Sequence, residues 1–455
     1  MKKLLLLSLL VTNFCFAQTI EGDWYGELTI QTTKLPTVFH INKTETGFSA
    51  TMDSPSQNAY AIPLDSVSFI QNKLTITQKA IQIIYEAELQ PDTTFVGTFK
   101  QRGYSIPLTL SKKVVVTEAP KRPQTPEPPF LYSSEEVHFT NTIDNIKLSG
   151  TLTLPKGKEK FPAVILISGS GPQNRNEEIL NHQPFWVIAD YLTNHGIAVL
   201  RYDDRGTAAS EGNFGAATTY NFIDDAQATI NYLKTRPEID SNKIGAIGHS
   251  EGGIIAPALA SKNGVDYIVL LAGPGLRGDK ILHQQRKKME KMQGINALAT
   301  AQREAIFQEV YEVILDTTLT AEKTKTQTQA IFKKHWGTMV SDTELEQINN
   351  QINTEWMKQF IRLDPTQFLT KVNCPVLALN GEKDVQVLAK ENLTAITKSV
   401  KQSGAQITTK IYPNLNHLFQ EAITGSVQEY GEIEQTIAPQ VLKDITQWIL
   451  EQAKN

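Results

Sequence analysis

The sequence predicts an α/β fold, a mostly parallel eight-stranded sheet carrying a helical cap, preceded by a small all-β domain. Three observations predict it. Short alternating segments fill the first quarter of the chain, a proline-rich stretch follows, and unbroken apolar runs then alternate with helical spacings. At 455 residues the chain can bury two cores with a further lobe. Hydrophobic residues at 40% and charged ones at 20% sit near the averages for soluble globular proteins, which argues against a disordered chain or a membrane channel. The net charge of −4 comes without a basic stripe, so nucleic acid is not expected as a partner.

Residues 1–17 read as a signal peptide. Lys2 and Lys3 precede an apolar run over 4–10 that is too short to span a bilayer, and Cys15 and Ala17 fit the small positions before a cleavage site. The expectation is a mature chain starting near Gln18 with no membrane span, exported to the periplasm or the exterior. A lipoprotein would need a small residue where Phe14 stands. Cleavage leaves Cys374 as the one cysteine, expected to be a buried inert thiol, and no zinc spacing occurs. No cofactor or metal is expected.

Residues 18–116 form the all-β domain. Segments such as Trp24-Tyr25-Gly26-Glu27-Leu28 and Thr94-Phe95-Val96-Gly97-Thr98-Phe99 alternate, with turn residues Thr46-Gly47 and Pro91-Asp92 between others, as in an antiparallel sandwich or barrel. Residues 117–134, with Pro120, Pro123, Pro126, Pro128 and no periodic apolar face, read as a semi-rigid linker.

From 135 to 455 the spacing predicts strands over 136–141, 146–154, 163–167, 197–202, 243–247, 267–271, 376–379 and 406–411. The first two, joined by Asp144-Asn145, form a hairpin; the later ones are continuous apolar runs, as parallel strands covered on both faces must be. Between about 278 and 369 the β signal gives way to polar helical sequence. An insertion there lies above the carboxyl ends of the strands, where open α/β sheets hold ligands, and reads as a cap. Its Ile306, Val310, Ile314, Trp336, Trp356 and Phe360 are expected mostly to pack within the cap.

The strongest local motif is Gly248-His249-Ser250-Glu251-Gly252, after a strand and opening a helix. Glycines two residues either side let a serine sit in a strained backbone with its hydroxyl exposed. The Glu251 N–H at the helix start then faces a developing oxyanion. A serine hydroxyl needs a base, and the base an orienting carboxylate. His417 follows the eighth predicted strand and Asp384 the seventh, so Ser250, Asp384 and His417 should converge on one sheet edge, with Glu382 the competing acid. His249 lies inside the elbow and is rejected as the base. The loop Ser168-Gly169-Ser170-Gly171-Pro172 should supply the second oxyanion donor, the Ser170 N–H or, alternatively, that of Gly171. In Arg201-Tyr202-Asp203-Asp204-Arg205-Gly206, Asp203 and Arg205 are expected to brace loops by paired hydrogen bonds.

Together Ile167 to Pro172, Asp203-Asp204-Arg205-Gly206, Gly248 to Gly253, Gly381 to Asp384 and Leu415 to Phe419 resemble the α/β-hydrolase superfamily, in the bacterial branch that groups esterases with serine aminopeptidase-like hydrolases. The resemblance covers roughly 136 to the C-terminus and is loosest in the cap. It implies the α/β-hydrolase strand order and, since some members are exported carboxylesterases with an N-terminal β domain, a small-molecule acyl ester as substrate. Ala208 departs from the pattern, standing where a glycine is usual, which puts that loop's shape in question. The same three residues would serve a peptide or an acyl thioester; recognition of a peptide amine would call on carboxylates such as Glu251 or Glu355. A third reading makes Trp24, Tyr25, Tyr60 and Tyr104 a glycan or partner platform on the β domain, whose other candidate roles are shielding the active site and forming a homodimer.

Overall fold

The structure, a computed structural model, describes residues 20–454 apart from 31–32, 56–58, 80, 102–103, 114–119 and 158–159. The expected signal peptide lies outside the described residues. The chain divides into two compact units, Met1–Ala119 and Pro120–Asn455.

The first unit is a barrel. Strands β1 (Gly22–Ile30), β2 (Thr33–Thr44), β3 (Gly47–Ser54), β4 (Ala59–Pro63), β5 (Ser66–Ile70), β6 (Lys73–Gln78), β7 (Ile83–Leu89), β8 (Thr94–Gln101) and β9 (Tyr104–Ser111) run in the order β2-β1-β9-β8-β7-β6-β5-β3-β4, and β2 also pairs with β3, which closes the ring. Alternation supplies the interior: on β6 Leu74 and Ile76 point in, and on β7 Ile83, Tyr85 and Ala87 do. Trp24 and Phe95 meet at 4.5 Å between ring centroids and Phe39 stacks on Tyr85 at 5.6 Å. Trp24 thus belongs to the core, which removes it from the aromatic platform; Tyr60 and Tyr104 are exposed.

The second unit holds all eight expected strands, β10 (Ser133–Asn141), β11 (Ile146–Leu154), β12 (Phe161–Ile167), β13 (Ala198–Tyr202), β14 (Ile239–His249), β15 (Tyr267–Leu271), β16 (Val376–Gly381) and β17 (Ile407–Tyr412), in the order β10-β11-β13-β12-β14-β15-β16-β17. The β10–β11 hairpin joins β13 antiparallel, and the remaining pairings are parallel. Continuous apolar strands are explained by two covered faces. Ala163, Ile165 and Ile167 pack under α2 (Thr219–Lys234), α3 (Gly252–Ala260) and α10 (Ala389–Ser403). Val164 and Leu166 pack under α1 (Pro184–Asn194) and α11 (Pro439–Gln452).

The insertion forms helices α4 (Gly278–Met292), α5 (Ala297–Leu315), α6 (Ala321–Trp336), α7 (Asp342–Ile352), α8 (Glu355–Arg362) and α9 (Thr366–Leu369). Side chains of Asn296, Thr320, Ser341 and Thr354 cap four of them. Ile306, Val310, Ile314, Phe332, Leu345 and Ile361 form the cap's own core, with Trp336 against it. Trp356 and Phe360 correct the expectation: they stack on each other at 5.3 Å and pack with Ile254 of α3, tying the cap to the sheet domain.

The expected linker is for the most part fastened to the second unit. Arg122 donates to the carbonyls of Leu180, Gly431 and Ile433, and Gln124 bonds the main chain of Thr436 and Ile437. Apart from Leu180, 58 residues on, these side chains satisfy loop groups 309 to 313 residues downstream, a long-range pairing that local composition does not reveal.

Candidate active site

Ser250 stands between β14 and α3 with φ +51°, a left-handed value that costs a side chain roughly 1–2 kcal/mol. Its neighbours leave it no alternative. A Cβ at Gly248 would lie 2.0 Å from the Gly252 carbonyl oxygen, and one at Gly252 would lie 2.2 Å from that of Ile167. Two strands and a helix start therefore meet here through bare backbone, and the Ser250 N–H is fixed by the Leu271 carbonyl at 2.9 Å.

His417 and Asp384 converge as expected, on the loops after β17 and β16. Asp384 Oδ2 is 2.8 Å from His417 Nδ1, while Oδ1 accepts the N–H groups of Gln386 and Val387 at 2.8 and 2.9 Å. Both side chains are buried. It is Asp384, and not Glu382, that meets the histidine. This leaves Nε2 as the free nitrogen of His417. The Ser250 hydroxyl makes no hydrogen bond among the described residues; such bonds commonly tighten only when substrate is bound.

The loop after β12 runs beside Ser250, with the Gly169 Cβ position 3.0 Å from the Ser250 Cβ. Gly169 spends its N–H on Glu177 Oε1 at 2.7 Å. The N–H groups of Ser170, Gly171 and Glu251 have no acceptor within the chain among the described residues, so all three expected oxyanion donors are unspent.

Three carboxylates lie behind this loop. Asp204 takes the Ser168 hydroxyl at 2.8 Å and the Gln173 N–H at 3.0 Å; burial, with smaller contributions from Glu177 and Glu251, pushes its pKa up to about 8. Glu177 also holds His249 Nδ1, at 2.8 Å. The Glu251 carboxylate, whose pKa burial raises, receives Thr219 at 2.6 Å, the Trp356 indole N–H at 3.1 Å and the Ser170 hydroxyl. Glu251 is thus filled from within. Glu355, the other acid considered for a peptide amine, pairs with Lys358 at 2.6 Å.

Around the site, Arg205 grips Asp225 at 2.7 and 2.8 Å and reaches Asp144, while Asp203 takes Arg175 through both oxygens, so both braces exist with different partners. Ala208 has φ +47° and so adopts the left-handed conformation expected of the missing glycine. Cys374 is buried, its thiol pushed up to about 12 by burial. Among the described residues no group of three or more His, Cys, Asp or Glu could hold a metal, and no helix is long and apolar enough to cross a membrane. Sequence reasoning missed Glu177, Asp204 and the Trp356–Glu251 bond. Only Asp204, inside a motif already singled out, carried a local signal.

The fold and this edge define an α/β-hydrolase. Residues 183–421 match the family model for serine aminopeptidases of the S33 type, and the chain belongs to that family. A curated relative, esterase EstD of Thermotoga maritima, is 32% identical over 145 residues, which is 32% of this chain and 35% of that protein. The chain spans about a third of the length of this relative. Similar solved structures include the Pyrococcus furiosus esterase Pf2001, at 17% identity and TM-score 0.43 over 71% of this chain and 91% of that one. Another is Est1E of Butyrivibrio proteoclasticus with ferulic acid bound, at 18% identity and TM-score 0.43 over 70% and 100%.

Proposed function

We propose that this protein is a serine hydrolase that cleaves small carboxylic esters through an acyl-enzyme on Ser250. The observation that carries the reading is the pairing of His417 with Asp384 on the edge where Ser250 and unspent N–H groups also lie. His417 Nε2 takes the proton as Ser250 Oγ attacks the ester carbonyl. The N–H groups of Glu251 and of Ser170, or alternatively Gly171, receive the negative oxygen. Collapse expels the alcohol, which His417 protonates; water then attacks the acyl-enzyme by the same route and frees the acid.

The filled carboxylate of Glu251 favours an ester over a peptide with a free amine, because among the described residues the buried acids behind the oxyanion loop, Glu251, Glu177 and Asp204, already have partners of their own. The esterase named among its relatives supports the same preference. An amide or thioester remains the alternative substrate of this machinery. The leader over residues 1–17 supports export.

Mature protein should hydrolyse p-nitrophenyl acetate and butyrate faster than aminoacyl arylamides. Ser250→Ala should lower kcat by roughly 10⁵- to 10⁶-fold. Retained activity in that variant would overturn the triad, and faster arylamide cleavage would overturn the ester.

A further inference from the structure

Two buried side chains beside the triad have no part in the steps above. His249 precedes Ser250, and Glu177 lies beyond the oxyanion loop; they are 7% and 5% exposed. Glu177 Oε1 is 2.8 Å from His249 Nδ1 and also accepts the Gly169 N–H at 2.7 Å. His249 Nε2 lies 3.1 Å from the main-chain carbonyl of His417, and the two rings are 4.8 Å apart at their centroids.

The partners dictate the protons. A carbonyl oxygen only accepts, so Nε2 carries hydrogen. Glu177 Oε1 already accepts an amide N–H, and a carboxyl oxygen bearing a proton accepts poorly, so Nδ1 is the donor on its side as well. With both nitrogens protonated the ring is an imidazolium, and Glu177 is its counter-ion. Burial would push the His249 pKa down; the charge and hydrogen bond of Glu177, the His417 carbonyl and the Asp384 charge lift it above the ordinary histidine value. The charged and titratable groups facing the pair are His417, Asp384 and, toward Glu177, Asp204.

We infer that Glu177 and His249 are positioning residues, an ionised pair that ties the oxyanion loop at Gly169 to the main chain of His417. The chain of bonds runs from the Gly169 N–H through the carboxylate and the imidazolium to the carbonyl of the base. It fixes the spacing between the group that moves the proton and the groups that receive the negative oxygen. Asp384 sets which way the His417 ring faces; the Glu177–His249 pair sets where its backbone stands. This assignment rests on the serine-hydrolase reading for its kinetic consequence, but the protonation of His249 does not.

The test has two arms. Nitrogen-15 NMR of the wild-type chain, which has 8 histidines, should show His249 with both ring nitrogens protonated and without titration through the ordinary histidine range at about pH 6.5. A singly protonated or titrating His249 overturns the inference. In the second arm Glu177→Gln keeps the shape and removes the charge. Its kcat should fall on the order of 10²-fold with KM changed by less than about three-fold, because misplacement of catalytic groups by about 1 Å has that cost. His249 should then titrate. An unchanged kcat in a folded Glu177→Gln protein overturns the positioning role, as does a loss carried by KM alone. If that variant does not fold, Glu177→Asp, which keeps the charge on a shorter arm, should retain the doubly protonated His249 and lose kcat. If the wild-type chain cleaves no ester, amide or thioester, the proposed function fails while the NMR arm still decides the state of His249.

Discussion

The barrel and the hydrolase unit bury different things. Among the described residues the barrel's buried polar side chains are Thr37, Ser54 and Gln78, none of them charged. The hydrolase unit buries Glu177, Arg201, Asp203, Asp204, Arg205, Asp225, His249, Glu251, Asp384 and His417, on or near one edge of one sheet. Desolvating a charge is unfavourable unless it is paired and hydrogen-bonded, so a chain needing only stability would fill both interiors as it fills the barrel. The contrast teaches where stability has been traded for chemistry. Aromatic packing fills the first unit; the second adds to its apolar core a group of buried polar and ionisable side chains, several of which accept loop N–H groups.

Three substitutions press on this contrast, the largest effect first. Asp384→Asn removes the charge that orients His417, and kcat for p-nitrophenyl butyrate should drop about 10⁴-fold while the fold, followed by circular dichroism, stays intact. A loss below about ten-fold would mean that this buried carboxylate is structural like its neighbours. Phe95→Ala opens the centre of the barrel, where Phe95 is fully buried against Trp24 and Phe69. It should cost about 3–5 kcal/mol of barrel stability by calorimetry with kcat/KM unchanged. A matching fall in kcat/KM would show that the two units are not separable in function.

The smallest effect is one of pH. Asp204 is held up to about 8 from its ordinary 3.8, so the fold favours its neutral form. That stabilisation is whole below about pH 4, where the carboxyl is protonated folded and unfolded alike, and is lost as pH rises through about 8. The melting temperature of the hydrolase unit should therefore fall across this window. Asp204→Asn, which keeps a neutral polar group behind the loop, should flatten the slope; an unaltered slope would remove Asp204 from the account.

Much of this was legible in the sequence because it was written locally. Each parallel strand is one apolar run, and the elbow needs its glycines within five residues. Asp384 and His417 stand at the ends of predicted strands, so topology alone carries them together. What escaped was long-range or hidden by type. Glu177 reads as a surface acid beside Glu178, and nothing near it tells that its oxygen binds an amide and a histidine 72 residues on. Trp356 has the spacing of a cap-core residue, and only the assembled helices show its indole N–H on Glu251. Barrel closure through β2 and β3 was likewise invisible, since alternation marks strands and says nothing of which edges join.

The anchoring of Arg122 and Gln124 moves the start of the hydrolase unit. Trimming the chain back to the first strand of the sheet at Ser133 would strip four carbonyls, those of Leu180, Gly431, Ile433 and Ile437, and two N–H groups, those of Thr436 and Ile437, of their side-chain partners. All but the Leu180 carbonyl belong to the stretch following His417, so the natural excision point for a free-standing hydrolase is Pro120. A proline-studded segment that looks like packaging is the seam allowance of the enzyme.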